Sequence, residues 1–93
     1  VNQFPVNLNL AGRPVLVVGA GRIALRKTEQ LLACDASVTV IAPDVHHGFA
    51  DLPVTIVRRA YATNDVVGFR LVITATANTD VDQRIHDEAE ALG

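Results

Sequence analysis

Residues 15–27 read VLVVGAGRIALRK, and their reading decides the fold. The run at 15–18 is continuous, apolar and rich in β-branched residues, which fits a strand buried on both faces. Gly19-Ala20-Gly21-Arg22-Ile23-Ala24 follows at once and matches G-x-G-x-x-A. The period then changes. Ala24, Thr28, Leu31 and Leu32 fall on one helical face, with Arg26, Glu29 and Gln30 turned away from it, so a helix is expected over about residues 21–33.

The spacing has a chemical reason. Gly19 allows a sharp turn out of the strand. Gly21 lets a pyrophosphate approach the backbone. A small residue at Ala24 lets helix and strand pack closely. The helix start offers unpaired amides and a partial positive charge to phosphates. The alternative is a glycine-rich turn with no ligand. The flanking strand and helix, with a second strand about 20 residues on, favour a dinucleotide site. Arg22, Arg26 and Lys27 lie early in the helix, where cations oppose the dipole unless a bound anion offsets them; otherwise they form a solvated basic face.

Outward from this unit, strands are expected at 38–42, 54–57 and 71–74, and Val6, Leu8 and Leu10 alternate as a short half-exposed strand. Residues 43–53, between two prolines, read as loop with at most one short turn. Asn64 is placed to cap a turn before Val66 and Val67. A last helix is expected over 81–92, with Val81, Ile85, Ala89 and Leu92 as its apolar stripe and Asp80 and Asp82 at its start, where the dipole favours acids. The fold class is therefore α/β: a Rossmann-type NAD(P)-binding fold with a parallel sheet, truncated at its C-terminal side.

Asp44, just after Pro43, is the candidate for the acid that meets the adenosine ribose. It would favour NAD over NADP by repelling a 2′-phosphate, while Arg22 argues the other way. A plain loop acid is the alternative. Thr76 and Asn78 lie where the fourth strand ends, the edge that faces the ligand crevice. They are candidates to hydrogen-bond a cofactor or simply to cap the last helix.

The totals bound the rest. The chain has 93 residues with 49% hydrophobic content, enough for one small globular domain. Eight Lys and Arg against ten Asp and Glu leave a net charge of −2, which gives no reason to expect nucleic-acid or membrane-surface partners. No apolar run reaches the ~18 residues of a spanning helix. The single cysteine, Cys34, excludes an internal disulfide, suits a reducing, cytoplasmic setting, and reads as packing rather than as a nucleophile. His46 and His47 are expected to be exposed loop residues whose side chains diverge, and His86 a surface residue. No metal site and no catalytic triad is visible. The first residue is Val, and Gly93 resembles a helix stop, so residues 1–93 are expected to be a dinucleotide-binding piece of a longer protein.

With these segments in place, the chain resembles the N-terminal domain of siroheme synthases. These are precorrin-2 dehydrogenases that often act also as sirohydrochlorin ferrochelatases. The likeness is carried by FPVNLNLAGRPVLVVGAGRIALRK, VTVIAPD, LVITATAN and VDQRIHDEAEALG. Arg26-Lys27 after the glycine loop and APD after the second strand make it more specific than the glycines alone. The resemblance implies NAD-dependent oxidation of precorrin-2 to sirohydrochlorin. It implies cofactor contacts at Arg22, Ile23, Pro43 and Asp44, and a homodimer formed by regions outside this chain. The aspartate implicated in catalysis is expected after residue 93, so no catalytic residue is assigned here. A glycine usual near the end of the first helix is replaced by Cys34-Asp35, so that cap is expected to be strained or rearranged. Acidic residues usual after the fourth strand are replaced by Ala77-Asn78. A non-catalytic NAD- or ADP-sensing module is the alternative that the glycine loop leaves open.

Overall fold

The apolar run that opens the glycine motif lies at the centre of a four-stranded parallel sheet. The computed structural model describes residues 10–76 and 79–92, apart from the side chains of Thr79 and Leu92. The order along the chain is β1 (Pro14–Val18), α1 (Arg22–Ala33), β2 (Ser37–Ile41), a single 3-10 turn (His47–Phe49), β3 (Thr55–Val57), β4 (Leu71–Thr74) and α2 (Thr79–Leu92). Across the sheet the order is β3-β2-β1-β4. Val15 pairs with Val38 on one side and Leu71 on the other.

Alternation along β1 divides the core. Val15 and Val17 meet Ala24 and Leu31 of α1, together with Val38, Val40 and Phe49. Leu16 and Val18 face the other way, against Ile41, Tyr61, Val66 and Ile85 of α2. Residues 15–17 are fully buried, as a central strand covered on both faces must be. Truncating Leu16 to alanine should therefore cost about 2–5 kcal/mol. Helix α1 forms because its apolar positions share one face. Ala24, Thr28 and Leu31 are buried along it, although the Thr28 hydroxyl finds no hydrogen-bond partner.

The ends of α1 are instructive. Gly21 is its N-cap, with extended backbone. At the other end the Asp35 amide donates to the Leu32 carbonyl at 2.9 Å and the Ala36 amide to the Leu31 carbonyl at 3.2 Å. That is the paired Schellman pattern, with Asp35 in the left-handed position at φ 61°. The expected strain is present, and the rearrangement is not: an aspartate occupies the place where glycine is free of steric cost.

Three local expectations are corrected. Asn64 caps no turn. It takes up positive φ at 71°, and it is Asp65 whose carboxylate accepts from the Ala62 amide at 2.7 Å. The rings of His46 and His47 do not diverge but stack at 4.2 Å, because His46 Nδ1 is turned inward to accept from the Gly48 amide at 3.0 Å. Cys34 is exposed, so it contributes no packing. The strand expected at Val6, Leu8 and Leu10 lies outside the described residues for Val6 and Leu8, as do Ala77 and Asn78.

β3 and β4 occupy opposite edges of the sheet, so residues 58–70 must cross it. They do so on the α2 face, where Tyr61 and Val66 are buried against Leu16, Val18 and Ile41, and without forming a helix.

Candidate functional site

Parallel strands bring their carboxyl ends to one edge, and the chain leaves β1 and β4 in ways that open a crevice there. A cleft of about 520 Å³ lies at that edge. Its floor is the glycine turn, from Val18 through Gly21. One wall is Ile41 at the end of β2 with Ala42, Pro43 and Asp44 beyond it, and Ala60 and Tyr61 after β3. The other is Ala75, Thr76 and Val81, after β4 and at the start of α2.

The turn is fixed by the backbone. The Gly19 amide donates to the Ile41 carbonyl at 3.0 Å, the Ala75 amide to Val18 at 2.9 Å, and the His46 amide to Ala20 at 2.7 Å. Gly19 has φ 112°, and a Cβ there would stand 2.5 Å from the Ala75 carbonyl oxygen. Glycine at this position is a requirement of the fold. Gly21 is different. Its φ is −86°, which any residue adopts, and a Cβ there would meet nothing within 4 Å. What its missing side chain leaves open is the cleft itself, directly before the α1 amides. Intrahelical bonding begins with the Leu25 amide donating to Gly21 at 2.9 Å. No side chain caps the start of α1, and no acid lies in its first turn. The positive end of that helix is thus left for an external anion.

The structure brings Gly19, Gly21, Pro43, Asp44 and Thr76 together around this cleft. Asp44 is exposed at its mouth. Thr76 is tied down, since its hydroxyl donates to Asp82 at 2.6 Å. Ala24 is fully buried under α1 and serves the close packing expected of it. Arg22 and Ile23 stand beside the glycine turn, but they line a separate depression with Leu25, Arg26 and Lys27 on the outer face of α1. Ile23 is 67% exposed there. Small or apolar side chains (Ala42, Ala60, Ala75) and Tyr61 also shape the cleft. Ala60 and Tyr61 belong to no motif in the sequence, but the strand-end rule carried past β3 points to them.

Tyr61 is the best anchored of these. Its hydroxyl donates to Glu88 on α2. Burial, and then that bond, push its phenol well above the ordinary range. Glu88 is held below the usual carboxylate value, first by the hydrogen bond from Tyr61, with the Asn64 amide and Arg84 acting in the same direction. Among the described residues, no cluster of three His, Cys, Asp or Glu could hold a metal ion, and no helix is long and apolar enough to cross a membrane.

These residues suit a dinucleotide: an open cradle at Gly21, an uncapped helix start, small walls and an acid at the mouth. Comparison with known proteins agrees. Residues 6–93 match the family described as "Putative NAD(P)-binding". The chain is 42% identical over 94 residues to the siroheme synthase of Ectopseudomonas mendocina, covering 98% of this chain and 20% of that protein. It is 37% identical over 95 residues to the siroheme synthase of Actinobacillus pleuropneumoniae serotype 3, with the same coverage of 98% and 20%. The chain thus spans about a fifth of the curated relatives it matches. Among solved structures, the precorrin-2 dehydrogenase SirC superposes with a TM-score of 0.84 at 30% identity, over 90% of this chain and 44% of that one. The family and the dehydrogenase together support NAD as the cofactor, as the glycine loop led us to expect. The chain belongs to the NAD(P)-binding family, within the N-terminal domains of siroheme synthases.

Proposed function

We propose that this chain is the cofactor-binding part of a precorrin-2 dehydrogenase acting in siroheme formation. The observation that carries the reading is the cleft at the carboxyl ends of β1, β2 and β4, built on a fold that matches a precorrin-2 dehydrogenase. Held here, NAD would supply the hydride acceptor for oxidation of precorrin-2 to sirohydrochlorin, with one proton released alongside NADH.

The protein's part is binding and orientation. Gly21 and the first α1 amides receive the pyrophosphate. Arg22 and Ile23 border it from the first turn. Pro43 shapes the ribose side of the cleft, and Asp44 accepts from the ribose hydroxyls and disfavours a 2′-phosphate. Asp44, exposed at the mouth of the cleft, thereby sets the NAD preference. Ala75 and Thr76, at the end of β4, would hold the nicotinamide half. No described residue is given the proton-accepting role. We assign that to an aspartate of the intact protein beyond this chain, together with the homodimer, any iron insertion and a cytoplasmic setting.

The test is anaerobic oxidation of precorrin-2 by the intact protein, followed as NADH appears. NAD-dependent turnover that a Gly21→Asp variant abolishes is the expected result. NAD binding without turnover would instead favour a nucleotide-sensing module.

A further inference from the structure

The wall of the cleft contributed by residues 58–70 is unusual in its support. This crossover joins strands at opposite edges of the sheet and has no helix to stiffen it. Backbone turns shape it internally, and side chains tie it to α2. Among the described residues, two of the three hydrogen bonds across that contact reach one carboxylate, that of Glu88 on α2. Tyr61 donates its hydroxyl to Glu88 Oε2, and the Asn64 amide donates to the same oxygen at 3.2 Å. Arg84, one turn earlier on α2, pairs with Glu88 Oε1 at 3.5 Å. It also donates to the Thr63 hydroxyl at 2.8 Å and lies over the Tyr61 ring at 5.3 Å from its centroid. Within the crossover, Arg59 and Asp65 pair in bidentate fashion at 2.6 and 2.9 Å.

Tyr61 connects this network to the cleft. It is 9% exposed and lines the cleft together with Ala60, on the same side as Pro43 and Asp44. In a crevice of this kind the acid after the second strand marks the adenosine half of the dinucleotide. Tyr61 follows β3, the strand beside β2, and so stands on the adenosine side.

We propose that Glu88 is a positioning residue for the cofactor: by holding Tyr61 and the Asn64 amide it sets the wall against which the adenosine half of NAD packs. Glu88 does not touch the cofactor. It removes a conformational choice from an otherwise irregular segment, so that the wall is already formed when the ligand arrives. This rests on reading the cleft as the NAD site.

The chain supplies its own reporter, because Tyr61 is its only tyrosine and it contains no tryptophan. NAD, AMP and nicotinamide mononucleotide are titrated separately into the full chain and into the Glu88→Ala, Glu88→Gln and Tyr61→Phe variants by calorimetry. Tyrosine emission is read in parallel wherever Tyr61 is present. Loss of a hydrogen bond to a charged group predicts about tenfold weaker binding of NAD and of AMP to Glu88→Ala. Nicotinamide mononucleotide binding should stay unchanged and tyrosine emission should change. Glu88→Gln keeps an acceptor oxygen and should recover most of the affinity. Tyr61→Phe keeps the ring in the core, so it tests the bond even if Glu88→Ala fails to fold; it should weaken NAD and AMP alike.

Wild-type affinity for NAD in both Glu88→Ala and Tyr61→Phe would overturn the proposal. So would an equal loss for all three ligands, which would mark a merely structural role. Failure of the wild-type chain to bind NAD at all would overturn the cleft assignment instead, and with it the role of Glu88.

Discussion

Gly19 and Ala75 approach so closely that a Cβ on Gly19 would lie 2.5 Å from the Ala75 carbonyl oxygen and 2.7 Å from its carbonyl carbon. The contact is with backbone, which cannot rotate away, and Gly19 also has φ 112°. Gly19→Ala should therefore destabilise the chain by about 2–4 kcal/mol, the sum of left-handed strain and overpacking. Urea unfolding measures this directly, and an unchanged midpoint would contradict the close approach of the glycine turn to the end of β4.

Asp35 offers the opposite opportunity. It holds the left-handed position of a complete Schellman cap, at φ 61°, where glycine has no Cβ penalty. Asp35→Gly should stabilise the chain by about 0.5–1 kcal/mol. In a domain of this size a gain near 1 kcal/mol raises the melting midpoint by roughly 4–8 °C. Asp35→Val should lower it, since a β-branched residue resists positive φ.

The network around Tyr61 gives stability a pH dependence with a definite sign. Asp65, held low chiefly by its hydrogen bond from Arg59, and Glu88, held low chiefly by Tyr61, both have folded values below their ordinary ones. Their contribution is fully present above the ordinary carboxylate range of about 4 and is lost as the pH falls through the depressed values. Tyr61 acts on the alkaline side. Its folded value is raised, so its contribution is full below the ordinary phenol value of 10.0 and is lost as the pH rises further. Melting midpoints followed from about pH 3 to about pH 11 should show a plateau with a fall at each end. Glu88→Gln should flatten the acid fall, and Tyr61→Phe the alkaline one. A wild-type acid limb as flat as that of Glu88→Gln would contradict the network.

The parts of the fold that were legible in the sequence are those governed by local rules. The apolar run at 15–18, the glycines and the one-sided face of α1 each state their structure in a few residues, and β2 and β4 follow the same pattern. Of the residues expected at a cofactor site, Gly19, Gly21, Pro43, Asp44 and Thr76 sit on that frame and line one cleft. What escaped is set by pairings distant in sequence. Tyr61 lies just past β3, within reach of the strand-end rule, but its tie to Glu88 on α2 belongs to no local motif. Asn64 looked like a cap because its residue type favours one, yet the backbone used its tolerance of positive φ and left the capping to Asp65. Arg22 and Ile23 follow the glycines in the first turn of α1 and line the depression beside that helix.

The central claim is that the open space at Gly21, before the uncapped start of α1, receives the pyrophosphate of NAD. Calorimetric titration of NAD into the wild-type chain and a Gly21→Asp variant tests it most directly. With no atom within 4 Å of a Cβ there and an N-cap position that accepts aspartate, the variant should fold with wild-type stability or slightly more. Its carboxylate would occupy the cradle and repel the phosphates, so NAD binding should weaken by more than about a hundredfold. A folded Gly21→Asp chain that binds NAD as the wild type does would contradict the account.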